Sequence, residues 1–109
     1  MSVVKEDRVF DALEIRDISA HTSEIIENIG FSIKTLIIEN GLGKTVTFTC
    51  EGSARSDFSQ AFTIATFDMP AGNNYATCES YIPYWRLKAQ CAEAPSSGSL
   101  TVFLEKVTT

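Results

Sequence analysis

The sequence predicts an all-β fold: an antiparallel β-sandwich of seven to eight strands, jelly-roll or immunoglobulin-like in topology, with a closed barrel as the competing architecture. Three observations carry this reading. Short segments alternate apolar with polar side chains, turn residues recur roughly every ten positions, and no stretch shows sustained helical spacing. The 109 residues have the size of one domain, residues 1–109, able to bury a single core without metal or disulfide support.

Taken from the start, "MSVVKEDRVF" sets Lys5, Glu6, Asp7 and Arg8 where a signal peptide needs an apolar run, and residues 1–8 read as a charged N-terminal arm. "RVFDALEIRDIS" suits a strand with Val9, Leu13 and Ile15 inward. "HTSEIIENIGFSI" spaces Ile25, Ile29 and Ile33 as a helix would. Its β-branched crowding and Gly30 favour a strand or irregular segment, with a one-turn helix as the alternative.

The middle of the chain is clearer. "SIKTLIIENGLGK" offers Ile33 to Glu39 as a strand followed by Asn40, Gly41 and Gly43, and "KTVTFTCEGS" alternates Val46, Phe48, Cys50 and Gly52 with Thr45, Thr47, Thr49 and Glu51. The two are expected to form a hairpin. "FTIATFDM" and "YATCESY" read as strands separated by the loop "PAGNN". In "YIPYWRLKAQC", Trp85, Leu87, Ala89 and Cys91 fall on one side and Tyr84, Arg86, Lys88 and Gln90 on the other, while Pro83 predicts a bend, a bulge or a sheet edge. The turn residues of "EAPSSGS" then lead to "LTVFLEKV", with Leu100, Val102 and Leu104 inward, as a second hairpin. The expected core is therefore Val46, Phe48, Cys50, Trp85, Leu87, Cys91, Leu100, Val102 and Leu104.

Function is constrained mainly by exclusion. A net charge of -5, with the nine basic residues scattered singly, leaves no electrostatic footprint for nucleic acid or an anionic membrane. No apolar run reaches transmembrane length, so synthesis in a cytoplasm is expected. Cys50, Cys78 and Cys91 are odd in number and lack CxxC spacing, which favours reduced thiols; were one bridge to form, Cys50 with Cys91 is the pair expected. The sole histidine, His21, has no nucleophile nearby in sequence, and the carboxylates show no catalytic spacing. Asp57, Asp68, Asn73 and Asn74 belong to inferred loops or their borders but lack a D-x-D-x-D pattern, so no metal and no cofactor is predicted. What remains is surface: Tyr84, Arg86 and Lys88 on the polar face of one strand, with Tyr75 and Tyr81, form the candidate contact surface. It would serve self-association or a protein partner, or alternatively stack sugar rings.

The stretches "TLIIENGLGKTVTFTCEGSARSDF" and "YIPYWRLKAQCAEAPSSGSLTVFLEK" carry a resemblance. From about Phe31 to Val107 the order of segments resembles small β-sandwich domains of tailed-phage virion proteins and related bacterial domains. The resemblance implies a non-enzymatic structural protein located in the virion: a capsid decoration or a neck, tail or fibre subunit. Its partners would be further copies of itself or other virion proteins. A carbohydrate-binding module for surface glycans is the alternative.

Overall fold

Strict alternation in "VTFTCEGS" makes β5 (Val46–Ser53) a strand whose apolar side chains all fall on one face, and Val46, Phe48, Cys50 and Gly52 are buried while the threonines are half-buried. The same logic generates the rest of the molecule. A computed structural model describes residues 4–108, and among them every regular element is a strand: β1 (Val4–Leu13), β2 (His21–Thr22), β3 (Ile26–Glu27), β4 (Ile33–Asn40), β5, β6 (Phe62–Met69), β7 (Gly72–Glu79), β8 (Tyr84–Cys91) and β9 (Leu100–Val107).

These strands form two antiparallel sheets, one in the order β1-β9-β4-β7 and the other β2-β8-β5-β6, with β3 pairing β8 beyond β2. Apart from β5–β6 and the short β2–β3 pair, each connection carries the chain from one sheet to the other. That order is a jelly roll, which decides between the two topologies the sequence left open. Both expected hairpins are thereby corrected. β4 pairs β7 and β9, whereas β5 pairs β6 and β8, so the Asn40–Gly43 turn crosses the core instead of closing a ladder. β8 and β9 likewise lie in opposite sheets.

Several local expectations change as well. Residues 4–8 are not a free arm: Val4 to Arg8 pair residue by residue with Val107 to Phe103, and residues 1–3 lie outside the described part. β1 then slips register twice, between Arg8 and Phe10 and between Phe10 and Leu13, with Ala12 at φ 50. The slips bury Phe10 and leave Val9 and Leu13 only partly covered. The "PAGNN" loop shrinks to Pro70 and Ala71, because β7 begins at Gly72. Pro83 lies just outside β8, where its missing N–H breaks no ladder, and β8 is a central strand rather than an edge.

The core lies between the sheets and includes Ile15, Ile38, Val46, Phe48, Ala89, Cys91, Leu100, Val102 and Leu104, each fully buried, with Cys50, Trp85 and Leu87 nearly so. Phe48 stacks on Phe67 with centroids 5.6 Å apart. The two rings are direct register partners, and beyond them lies a bulge: Cys50 pairs Ala65 and Glu51 pairs Thr63, so Ile64 is the extra residue and Ile64 and Phe67 both reach inward though three positions apart. Gly52 leaves room for this, since a Cβ there would stand 2.8 Å from both Ile64 Cδ1 and Ile82 Cγ2. Cys50, Cys78 and Cys91 are free. Cys91 sits opposite Val46, four residues along β5 from Cys50, a separation of about 13 Å that no disulfide spans.

Candidate functional site

The pleat of β1-β9-β4-β7 sends alternate residues outward, and the register lines them up in rows across all four strands. One row is Arg8, Phe103, Ile37 and Tyr75. Tyr75 is 73% exposed and Ile37 38%, and the Arg8 guanidinium lies 5.1 Å from the centroid of the Phe103 ring. Beside it runs a row of Glu6, Glu105, Thr35 and Thr77, in which the threonine hydroxyls meet at 3.2 Å. A hydrogen bond that protonated Glu105 donates to Glu6, burial and the like charge of Glu6 together raise the Glu105 pKa. Beyond that, Val4, Val107 and Ile33 are apolar across three strands, with Glu79 at the β7 position of the row and Val4 largely exposed. This face thus presents apolar, carboxylate–hydroxyl and aromatic bands in succession. The signal for it was available in "LIIE", where consecutive apolar residues force one outward, and in Phe103 standing among the polar positions of β9.

The face of β8 singled out by the sequence is different. Tyr84, Arg86 and Lys88 do share it, but Glu51 from β5 answers both cations, with its Oε1 2.8 Å from Arg86 Nε and its Oε2 3.6 Å from Lys88 Nζ. The Arg86 guanidinium also covers the Phe58 ring at 4.4 Å. Its positive charge is satisfied within the molecule. Tyr84 is half-buried, while Tyr75 belongs to the opposite sheet and Tyr81, 81% exposed, to the β7–β8 connection. The five residues therefore do not form one surface.

Other candidates disperse too. His21 Nε2 lies 2.9 Å from Asp17 Oδ1, a contact that, with the Ser19 hydrogen bond, lowers the Asp17 pKa. Asp68, Asn73 and Asn74 lie in strands, and Asp68 accepts from the Thr47 hydroxyl at 2.7 Å. Among the described residues no group of three or more His, Cys, Asp or Glu side chains is placed to hold a metal.

The interior holds something the sequence reading did not flag. Lys34 and Lys106 face each other across the β4–β9 ladder, 1% and 0% exposed. Lys106 Nζ lies 2.5 Å from Asp7 Oδ2, donates to the Glu27 carbonyl at 2.7 Å and sits 4.8 Å from the Phe31 ring centroid. Lys34 Nζ donates to the Phe31 carbonyl at 2.8 Å and to the Ser80 carbonyl, and stands 5.3 Å from the Trp85 ring centroid. Burial lowers the Lys34 pKa, only partly opposed by Cys78. Both lysines are in phase with inward neighbours, Leu36 and Ile38 in β4 and Val102 and Leu104 in β9, and phase was the usable signal.

Fold and surface define a jelly-roll module with decorated outer faces and a polar-lined interior at one end. No family model and no curated sequence matches the chain. Solved structures do. The chain resembles the PBSX exported protein XepA with a TM-score of 0.67 and 15% identity, over 96% of this chain and 37% of that one. It therefore spans little more than a third of the XepA chain. It also resembles the SPBc2 prophage-derived protein YomS, with a TM-score of 0.59 and 14% identity over 99% of this chain and 96% of that one. A third likeness is to a subunit of Bacillus endospore appendages, described as disulfide-linked pili, with a TM-score of 0.56 and 11% identity over 97% of this chain and 85% of that one. At these identities what is shared is the sandwich fold.

Proposed function

We propose that this protein is a non-enzymatic structural subunit of a phage particle, a capsid decoration or a neck, tail or fibre component, acting through protein–protein contacts. The observation that carries the reading is the outer row Arg8–Phe103–Ile37–Tyr75, in which one cation, two aromatic rings and an isoleucine run across all four strands, with Tyr75 and Ile37 left open to solvent. Likeness over nearly the whole chain to a prophage-derived protein and to a pilus subunit supports it at the level of fold. The partner is another copy or a neighbouring virion protein.

The test is the double variant Ile37→Glu, Tyr75→Glu, whose changes sit on the exposed face and leave the core untouched. Light scattering of the concentrated protein and immunogold labelling of purified particles should show association and particle incorporation in the wild type, and loss of both in the variant with an unchanged melting temperature. Wild-type protein found only away from particles, and monomeric throughout, refutes the proposal. Saturable binding to a glycan array that disappears in Tyr84→Ala would instead assign carbohydrate recognition.

A further inference from the structure

Strands β6 and β7 are the edges of their respective sheets, and between them the sandwich stays open. The gap leads into a cavity of about 250 Å³ lined by Leu36, Ile64, Phe67 and Met69, together with Lys34 and Trp85. Its walls are almost wholly apolar, yet two hydrogen-bond donors at its lining are incompletely answered. Lys34 has three N–H donors when charged and uses two of them on carbonyl oxygens; no described carboxylate lies within ion-pair distance of it. Its neighbour Lys106 already holds Asp7, so among the described side chains Lys34, when charged, is left without a carboxylate partner. Trp85 is 3% exposed, and its Nε1–H has no acceptor among the described residues.

A buried charge is costly unless paired, and an acceptor-only anion would answer both donors together. The apolar walls require the remainder of the ligand to be hydrocarbon. An apolar cavity of ~150 Å³ takes one benzene ring, so this one suits a chain of about eight carbons. We propose that the cavity binds a medium-chain aliphatic carboxylate, with its tail between Leu36, Ile64, Phe67 and Met69 and its carboxylate accepting from Lys34 Nζ and Trp85 Nε1. This is independent of the assembly role proposed above.

Trp85 is the chain's one tryptophan, so its fluorescence reports directly on the site. Octanoate titrated into the whole chain should give a saturable change with one site per chain by calorimetry. Octanol should bind at least tenfold more weakly, about 1.4 kcal/mol. Lys34→Met, which keeps the stem and removes the charge, should bind octanol as the wild type does and lose the preference for octanoate. Ala76→Phe, which fills the cavity from β7, should abolish both. Absence of saturable octanoate binding up to about 5 mM, equal affinity for the acid and the alcohol, or a preference that survives Lys34→Met would each overturn the proposal. If either variant fails to fold, the wild-type ratio of octanoate to octanol affinity decides the matter by itself.

Discussion

Replacing Asp7 with alanine strips the counter-charge from an ammonium that water does not reach. Lys106 is 0% exposed and its Nζ lies 2.5 Å from Asp7 Oδ2; the contacts left to it would be the Glu27 carbonyl and the face of Phe31. Removing one partner of a buried pair costs roughly 3–5 kcal/mol, because the survivor stays desolvated. The Asp7 side chain is 27% exposed, so water can enter where the carboxylate was, and the lower bound of about 3 kcal/mol applies. For a chain of this length that is a fall in melting temperature of about 12 °C or more. Urea unfolding followed by Trp85 fluorescence measures the cost, with an unchanged slope showing that the native surface is intact. The double variant Asp7→Leu, Lys106→Met should return to within about 1 kcal/mol of the wild type, since an apolar pair needs no counter-charge. A cost below about 0.5 kcal/mol for Asp7→Ala, or a double variant less stable than the single one, would refute the view that this pair fastens β1 to the sheet.

Two further outcomes follow from local geometry and burial. Gly98 has φ +83, and a Cβ there would stand 1.8 Å from the Gly41 carbonyl oxygen, whereas Gly43, at φ +71, has nothing within 4 Å. Thermal unfolding should therefore show Gly43→Ala losing about 1 kcal/mol from left-handed strain alone and Gly98→Ala losing more than about 2 kcal/mol; equal losses would mean that the clash relaxes freely. Burial pushes the Cys50 thiol from 9.0 up to about 12, so the folded chain holds this proton more tightly than the unfolded one. Its stabilising effect is complete below pH 9.0 and is lost as pH rises from there towards 12, so the stability difference between wild type and Cys50→Ala should shift against the wild type over that window. A pH-independent difference would count against a buried, protonated thiol.

Alternation made strands legible because a pleated segment with one wet face must alternate, and burial does so through the full length of β8 and β9 and in β5 as far as Gly52. Pairing was not legible in the same way. Asn40, Gly41 and Gly43 state that the chain reverses there, but a turn does not say whether the next strand joins the same ladder or crosses to cover it. Here β4 and β5 press inward from opposite sides, and only the assembled core decides that. Bulges defeat a fixed period for a related reason: Phe10 and Phe67 reach the interior only after a register slip. The candidate surface suffered most. Arg86 and Lys88 look free in sequence because Glu51, 35 positions before Arg86, becomes their neighbour only through the β5–β8 register. Lys34 and Lys106 were hidden by the rule that charge faces water, although their positions in the pleat pointed inward.

Val4 stands opposite Val107 at the outer end of the β1–β9 ladder, a Cα separation of about 5 Å. The first and last strands thus bring their outer ends side by side. A short linker could join those points, and a cut between Pro70 and Ala71 at the far rim would then give a circular permutant that retains every ladder. Grafts or labels attached to the new ends would emerge from the opposite pole, which lets either pole be freed without redesigning the sandwich.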